Sequence, residues 1–299
     1  MLSETWTFIA NPISGQGKAL GMIPKLIQPL RDSGINPLVE WTTGSGQAET
    51  IASHAITNGI NTIIACGGDG TIHEIVNGIM KSQKHNVIKL GIIPLGRCND
   101  FASTFHIPKK FPQIISYLKD RRIRTVDLGQ VNDRFFTTVA TLGFDSEVNR
   151  FVSNRSSPIF RRGTLAYIYG IFASLFRYKD VQVTLKSDSG EFTGKIFLAA
   201  TANTPTYAGR MKIAPTAVVD DGYLDMCLVN SVSRLQVLRM LPRVFSGGHI
   251  SHPAVSMQRV TQLEIHAEEG LLICADGEAI TETPASIRIV PSALQVLVP

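Results

Sequence analysis

The strongest constraint on the fold is a rhythm in the first 125 residues. Short apolar runs alternate with longer stretches of helical periodicity, and glycine marks many of the switches. "TWTFIA", "NPLVEWTT", "NTIIAC" and "IKLGIIPLG" read as strands. "GKALGMIPKLIQPLRDSG", "GQAETIASHAITNG" and "TIHEIVNGIMKS" read as helices, the first two ended by Gly34 and Gly59. Strand–helix alternation with short loops predicts a mostly parallel sheet covered by helices on both faces. Ligands of such sheets sit at the carboxyl ends of the strands.

After the basic stretch "KDRRIRT" the rhythm changes. "VDLGQVNDRFFTTVATLGF", "VQVTLKSDSGEFTGKIFLAAT", "YLDMCLVN", "QLEIHA", "LLICADGEAI", "SIRIV" and "LQVLV" are β-rich with hairpin-like turns. The expectation is therefore an N-terminal parallel α/β domain over 1–125 and a C-terminal antiparallel β-rich, sandwich-like domain over 126–299. A final strand near 290–299 is expected to return to the first domain.

Composition narrows the class. With 44% hydrophobic and 18% charged residues the chain can bury a proper core. A net charge of +5 suits an anionic membrane, a phosphorylated ligand or nucleic acid, and also basic proteins with no such partner. No aromatic–basic pattern of the RRM or OB type is present, so nucleic acid is not expected as a partner. The N-terminus "MLSETWTFIA" has no charged-then-apolar leader, and the stretch Gly163 to Phe176 is too short to span a bilayer. The four cysteines stand far apart without a CxxC pair, and the seven histidines form no HxH or HExxH. A reduced, cytoplasmic protein without structural zinc or disulfides is the expectation.

Three loops follow three of the predicted strands: "NPISGQGKA" (11–19), "GGDGT" (67–71) and "PLGRCNDFA" (94–102). All three are expected at one edge of the sheet. Glycine lets backbone amides approach a phosphate, and a helix N-terminus adds partial positive charge. An aspartate in such a turn, Asp69, is a poor phosphate neighbour alone. Two roles are open for it: holding Mg²⁺ or taking a proton beside a bound triphosphate, or capping the following helix. Standard nucleotide motifs fail. "SGQGKA" has Pro12 where a Walker A loop needs its first glycine and Ala19 where it needs Ser or Thr, and "GSGQAE" has Glu49 in place of the third glycine of GxGxxG.

Taken in order, "NPISG", "GGDGTIHEIVNGI", "PLGRCNDFA", "GFDSEV", "APTAVVDDGYLD" and "ADGE" resemble the diacylglycerol-kinase-type lipid kinases, a family that includes sphingosine kinases. The resemblance covers almost the whole chain. It implies an α/β nucleotide-binding domain and a β-rich domain, with ATP and Mg²⁺ as cofactors and direct transfer of the γ-phosphate to a lipid hydroxyl, diacylglycerol by default. By resemblance, Asn11, Ser14, Gly15 and Thr42 contact nucleotide; Gly68, Asp69, Gly70 and Thr71 wrap the phosphates; Arg97, Asn99 and Asp100 belong to the third loop. Asp221, with carbonyls of Val218 and Tyr223, would hold a metal; the alternative is a tight turn whose carboxylate is satisfied by backbone amides. Glu278, then Asp276, are the expected proton acceptors, with a surface turn as the alternative. Asp145 and Glu147 are expected near the lipid headgroup, salt pairs elsewhere in the fold being the other reading.

Two departures stand out. Where the family pattern has PLGT and YGGG, this chain has Arg97, followed by Cys98, and Arg210. A silent nucleotide- or lipid-binding member and a kinase of a soluble acceptor are the competing expectations. For reaching a bilayer, the basic, apolar stretch Phe151 to Lys179 and the stripe Leu235, Leu238, Leu241, Phe245 with Arg234, Arg239 and Arg243 are candidates, which implies peripheral membrane association; the other reading is a helix covering the β domain with a solvated basic face. Homodimerisation is left open.

Overall fold

The structure, a computed structural model, describes residues 4–82, 84–153 and 164–299. The chain divides into one unit of residues 1–126 with 292–299 and a second of residues 127–291.

In the first unit β1 (Glu4–Ala10), α1 (Lys18–Arg31), β2 (Ile35–Trp41), α2 (Gln47–Thr57), β3 (Thr62–Gly67), α3 (Asp69–Met80) and β4 (Lys89–Pro94) alternate as the sequence predicts, followed by α4 (Asp100–Thr104) and α5 (Phe111–Asp120). The strands lie in the order β2-β1-β3-β4, all parallel, and residues 295–296 add a further parallel strand beside β4. Every residue of β3 is buried, because neighbours flank it on both sides and helices cover both faces. The edge strand β2 begins with alternating buried and exposed residues. α1 buries Ala19, Ile23, Leu26 and Leu30, one stripe of a helix.

The strand order reverses direction between β1 and β3. In doubly wound sheets this reversal opens a crevice at the carboxyl ends. Register aligns those ends, Ala10 opposite Cys66 and Gly67 opposite Pro94.

The second unit starts within β5 (Arg122–Val131) and continues through β6 (Arg134–Phe136), β7 (Val139–Gly143), α6 (Phe144–Ser153), α7 (Thr164–Leu175), β8 (Val181–Ser187), β9 (Gly190–Ala202), β10 (Leu224–Asn230), α8 (Arg234–Ser246), β11 (Val255–Val260), β12 (Gln262–Ala267), β13 (Leu272–Ala275), β14 (Glu278–Glu282) and the first half of β15 (Ala285–Val298). The pairings β10–β11, β9–β10, β12–β15, β8–β12, β13–β14, β7–β13, β5–β6, β7–β9 and β8–β9 are antiparallel. β10 shows how it is layered. Leu224, Met226 and Leu228 point into a core shared with Val183, Leu185, Leu263, Ile265 and Ile287, whereas Cys227 and Val229 point into another with Ile171 of α7 and Val237 and Met240 of α8. A period-2 strand that is apolar on both faces needs a layer on each, here other strands and the helices.

α8 packs on the β-rich unit over an arc that only partly follows the expected stripe. It buries Val237 and Met240, with Leu238 and Leu241 packed part-way, and turns Leu235 out at 56% exposure. Residues 154–163, part of the expected membrane-seeking stretch, lie outside the described residues. Among the described residues no helix is long and apolar enough to cross a membrane.

Gly78 lets α2 and α3 approach closely. A Cβ there would stand 2.5 Å from the Glu49 carbonyl and 3.0 Å from Ala52 Cβ. Gly78→Ala is expected to destabilise the protein by about 1–3 kcal/mol, as overpacking does; urea unfolding monitored by far-UV circular dichroism would read it as a lower midpoint with an unchanged slope.

Candidate active site

The three glycine loops lie at one edge of the first unit, and they touch. Asn11 N–H donates to the Cys66 carbonyl (3.1 Å), and the Asn11 side chain accepts from Ile13 N–H (3.1 Å) to start the first loop. Gly15, Gln16 and Gly17 then take left-handed backbones at φ 62, 63 and 87°. A Cβ on Gly15 would stand 2.7 Å from the Leu95 carbonyl, so the first loop lies against the third. Leu95 and Gly96 both donate to the Gly67 carbonyl (2.9 and 3.1 Å), and a Cβ on Gly96 would come within 2.3 Å of Gly68 Cα. Only a pair of bare backbones allows that approach. Thr42 is buried at the end of β2, its N–H on the Ala10 carbonyl (2.9 Å).

Asp69 stands in the first turn of α3, but its carboxylate reaches across to the third loop. Oδ2 accepts from Asn99 N–H at 2.8 Å and Oδ1 from Phe101 N–H at 3.4 Å. It thereby caps the short α4. Gly70 and Thr71 follow it in α3, with Thr71 buried over Gly67. Asn99 is held in a left-handed conformation, donates to the Gly96 carbonyl (2.8 Å), and keeps a buried Oδ1 without a partner. Asp100 is buried beside it, while Arg97 is exposed at the loop tip. Sequence reasoning missed Glu74, whose carboxylate accepts from Gly46 N–H (2.8 Å) and Ala48 N–H (3.0 Å) and fixes the loop after Thr42. Its signal was the acid one helical turn beyond the GGDG stretch.

In the second unit the ADGE carboxylates part company. Asp276 accepts from the N–H and hydroxyl of Thr137 (2.9 and 3.1 Å) and of Thr138 (2.8 and 2.6 Å), which makes it a rivet between two turns. Glu278 is exposed at the start of β14. Asp145 and Glu147 also separate. Glu147 pairs with Arg150 at the surface (2.8 Å). Asp145 is buried, accepts from Tyr207 hydroxyl (3.0 Å) and Asn149 amide (3.3 Å), and burial pushes its carboxyl up to about 6. It sits on the wall of a largely apolar cavity of about 70 Å³ among Ile171, Phe197, Val237, Met240 and Leu241, which Tyr207 and His249 also line. Burial, opposed by a hydrogen bond with Ser146 and supplemented by the charges of Asp145 and Glu278, pushes the Cys274 thiol up to about 11.

Asp221 forms an ion pair with Arg259 and accepts from Tyr223 N–H (3.1 Å), with Val218 and Tyr223 exposed around the turn. Arg210 is exposed in a tight turn whose residues 208–210 all have positive φ, which accounts for glycine at that place in the family pattern.

Comparison with known proteins follows this division. Residues 5–131 match the diacylglycerol kinase catalytic domain, and residues 138–298 match the YegS C-terminal NAD kinase beta sandwich-like domain. A diacylglycerol kinase of Mycobacterium tuberculosis (strain H37Rv) is 33% identical over 98% of this chain and 94% of its own length. The chain belongs to the diacylglycerol kinase family. Another member, from Staphylococcus carnosus, is 28% identical over 97% of this chain and 94% of its own. A crystal structure of a diacylglycerol kinase from Bacillus anthracis shares the fold, with a TM-score of 0.76 at 20% identity over 99% of this chain and 97% of that one. As a member of this family, the chain is an ATP-dependent kinase that transfers phosphate to an alcohol.

Asp145 gives the kinase a pH-dependent weakness. Its folded pKa of about 6 lies above the ordinary 3.8, so the folded state binds the proton more tightly. The stability this gives is full below the unfolded pKa and is lost as pH rises through the folded one. Asp145→Asn is expected to raise stability at neutral pH by on the order of 1–3 kcal/mol. Calorimetric melting temperatures of variant and wild type should converge as pH falls toward the ordinary aspartate value.

Proposed function

We propose that this kinase phosphorylates a membrane lipid, with diacylglycerol as the default acceptor. The observation that carries the reading is the apolar cavity of the second unit with Asp145 as its buried carboxylate. A soluble, polar acceptor would leave such a lining unused, whereas apolar walls suit the headgroup-proximal part of an acyl chain and Asp145 accepts from a headgroup hydroxyl. Glu278 is the proton acceptor for the attacking hydroxyl, because Asp276 is committed to four hydrogen bonds from Thr137 and Thr138. Asn11, Ser14, Gly15, Thr42, Gly68, Gly70, Thr71 and Asn99 line the loops that hold the triphosphate through backbone amides, with Arg97 an outer cation, while Asp69 and Asp100 keep the third loop in shape. ATP is used as its Mg²⁺ complex, which supplies neutralisation of the phosphate charge.

The acceptor resides in a bilayer, and the second unit offers a surface for one. Tyr169, Phe172 and Phe176 of the α7 region and Leu235 of α8 are exposed, and Arg234 lies 5.8 Å over the Phe176 ring. Arg177 and Lys179 are exposed nearby in sequence. Each cation near an anionic surface adds about 1 kcal/mol to binding.

Incubation with γ-labelled ATP and a total lipid extract, followed by identification of the labelled product, tests the acceptor. Labelled phosphatidic acid supports the reading; label confined to water-soluble products overturns it. Glu278→Gln is expected to lower kcat by roughly 10²–10⁴ with an unchanged melting temperature. Asp276→Asn is expected to lower the melting temperature as well, because its amide cannot accept all four bonds.

A further inference from the structure

The aspartate that the family resemblance assigns to a metal has another partner in this chain. Asp221 Oδ2 accepts from the guanidinium of Arg259, and Oδ1 accepts from Tyr223 N–H at 3.1 Å. Arg259 belongs to β11 and stands directly opposite Asp225 of β10 in the antiparallel register. Its guanidinium lies 4.2 Å from the centroid of the Tyr223 ring, a cation–π contact that fixes it over the turn. Burial pushes the Asp225 carboxyl up; a hydrogen bond from the Thr216 hydroxyl (2.8 Å) and the charge of Arg259 oppose that rise. From beneath, Asp127 holds the turn by accepting from Gly222 N–H at 2.7 Å.

These residues fit a divalent cation poorly. A hard cation takes six or more oxygen ligands, and Mg²⁺ demands near-ideal octahedral geometry. Here one carboxylate oxygen is on a backbone amide and the other on a permanently charged guanidinium. A metal entering there would face that positive charge at contact distance. Among the described residues no group of three or more His, Cys, Asp or Glu side chains is placed to hold a metal ion.

We propose that Arg259 is the resident counter-ion of the Asp221 turn, standing where the family pattern would put a metal, and that this turn is held without a divalent cation. The guanidinium serves Asp221 and Asp225 at once and is tethered by Tyr223. A bound metal could be stripped by chelation; a side chain cannot.

The test is a set of melting curves on the full chain without nucleotide, in EDTA, in MgCl₂ and in CaCl₂. The wild type is expected to melt at one temperature in all three, since a ligand that binds the folded state raises the melting temperature and one that does not bind leaves it alone. Arg259→Met, which keeps a long apolar stem against Tyr223, is expected to melt about 2–4 °C lower. Asp221→Asn added to Arg259→Met is expected to recover most of that loss, because it removes the carboxylate left without a cation. A wild-type melting temperature that rises with Mg²⁺ or Ca²⁺ and falls on chelation would overturn the proposal. So would an Arg259→Met variant that melts like the wild type, or one whose loss the double variant leaves unrecovered.

Discussion

Two lengths of backbone without side chains meet at the carboxyl edge of the α/β unit, and the proposed phosphate site depends on that meeting. Gly68 and Gly96 approach so closely that a methyl group on Gly96 would come within 2.3 Å of its neighbour's Cα. This contact sets the spacing of the second and third loops. The first loop then closes against the third at Gly15, where the obstacle to a side chain is the Leu95 carbonyl. Backbone amides are compact, fixed donors, so loops packed this way can surround a phosphate chain without a lysine of the P-loop kind. The failure of the Walker A pattern in this chain is consistent with that: the proposed grip would be built from three short loops rather than one long one.

Carboxylates hold this arrangement in place. Asp69 joins the second loop to the third through Asn99 and Phe101 amides, and Glu74 fixes the loop after β2; in the second unit Asp276 plays the same part, tying Thr137 and Thr138 together. An ionised carboxylate accepting backbone N–H bonds forms charge-assisted bonds, stronger than neutral ones, and leaves no buried donor unsatisfied. The aspartate inside the glycine turn therefore has a structural reason to be there. A carboxylate on α3 is the group that can reach the exposed amides of α4, and glycines on either side leave it room. Acids that look catalytic by their motif thus divide into Asp69 and Asp276, committed to backbone amides, Asp145, held by the Tyr207 hydroxyl and the Asn149 amide in the cavity wall, and Glu278, exposed at a strand end.

Much of the fold was legible because it follows local periodicity. Strands such as β3 are apolar throughout and helices such as α1 carry a single stripe, and both patterns survive into the structure unchanged. The β-rich half was legible as a class, since β10 alternates two apolar faces. What local pattern could not convey is which long-range partner a polar group finds. Arg259 is 38 positions from Asp221, and Thr137 is 139 from Asp276; strand register, not sequence spacing, brings them together. The phase of α8 was missed for a related reason. Leu235, Leu238, Leu241 and Val237, Met240 lie on overlapping arcs of one helix, and the shape of the β unit beneath decides which arc is buried.

The third loop shows why a sequence departure need not be a structural one. Threonine to arginine at position 97 replaces a small hydroxyl with a long cation, yet the residues that shape the loop are its neighbours. Gly96 meets Gly68, the Asn99 side chain binds the Gly96 carbonyl, and Asn99 N–H and Phe101 N–H are held by Asp69. All of these contacts involve backbone or residues other than Arg97, whose side chain extends into solvent. A loop defined by its backbone keeps its shape when an outward side chain changes, so the substitution alters charge at the loop tip and leaves the amide lining intact. A cation at that tip attracts an anionic nucleotide over a Debye length of about 8 Å at physiological salt, where a threonine hydroxyl would act only at contact. If these loops hold a nucleotide as proposed, Arg97 changes how it approaches them more than how it is held within them.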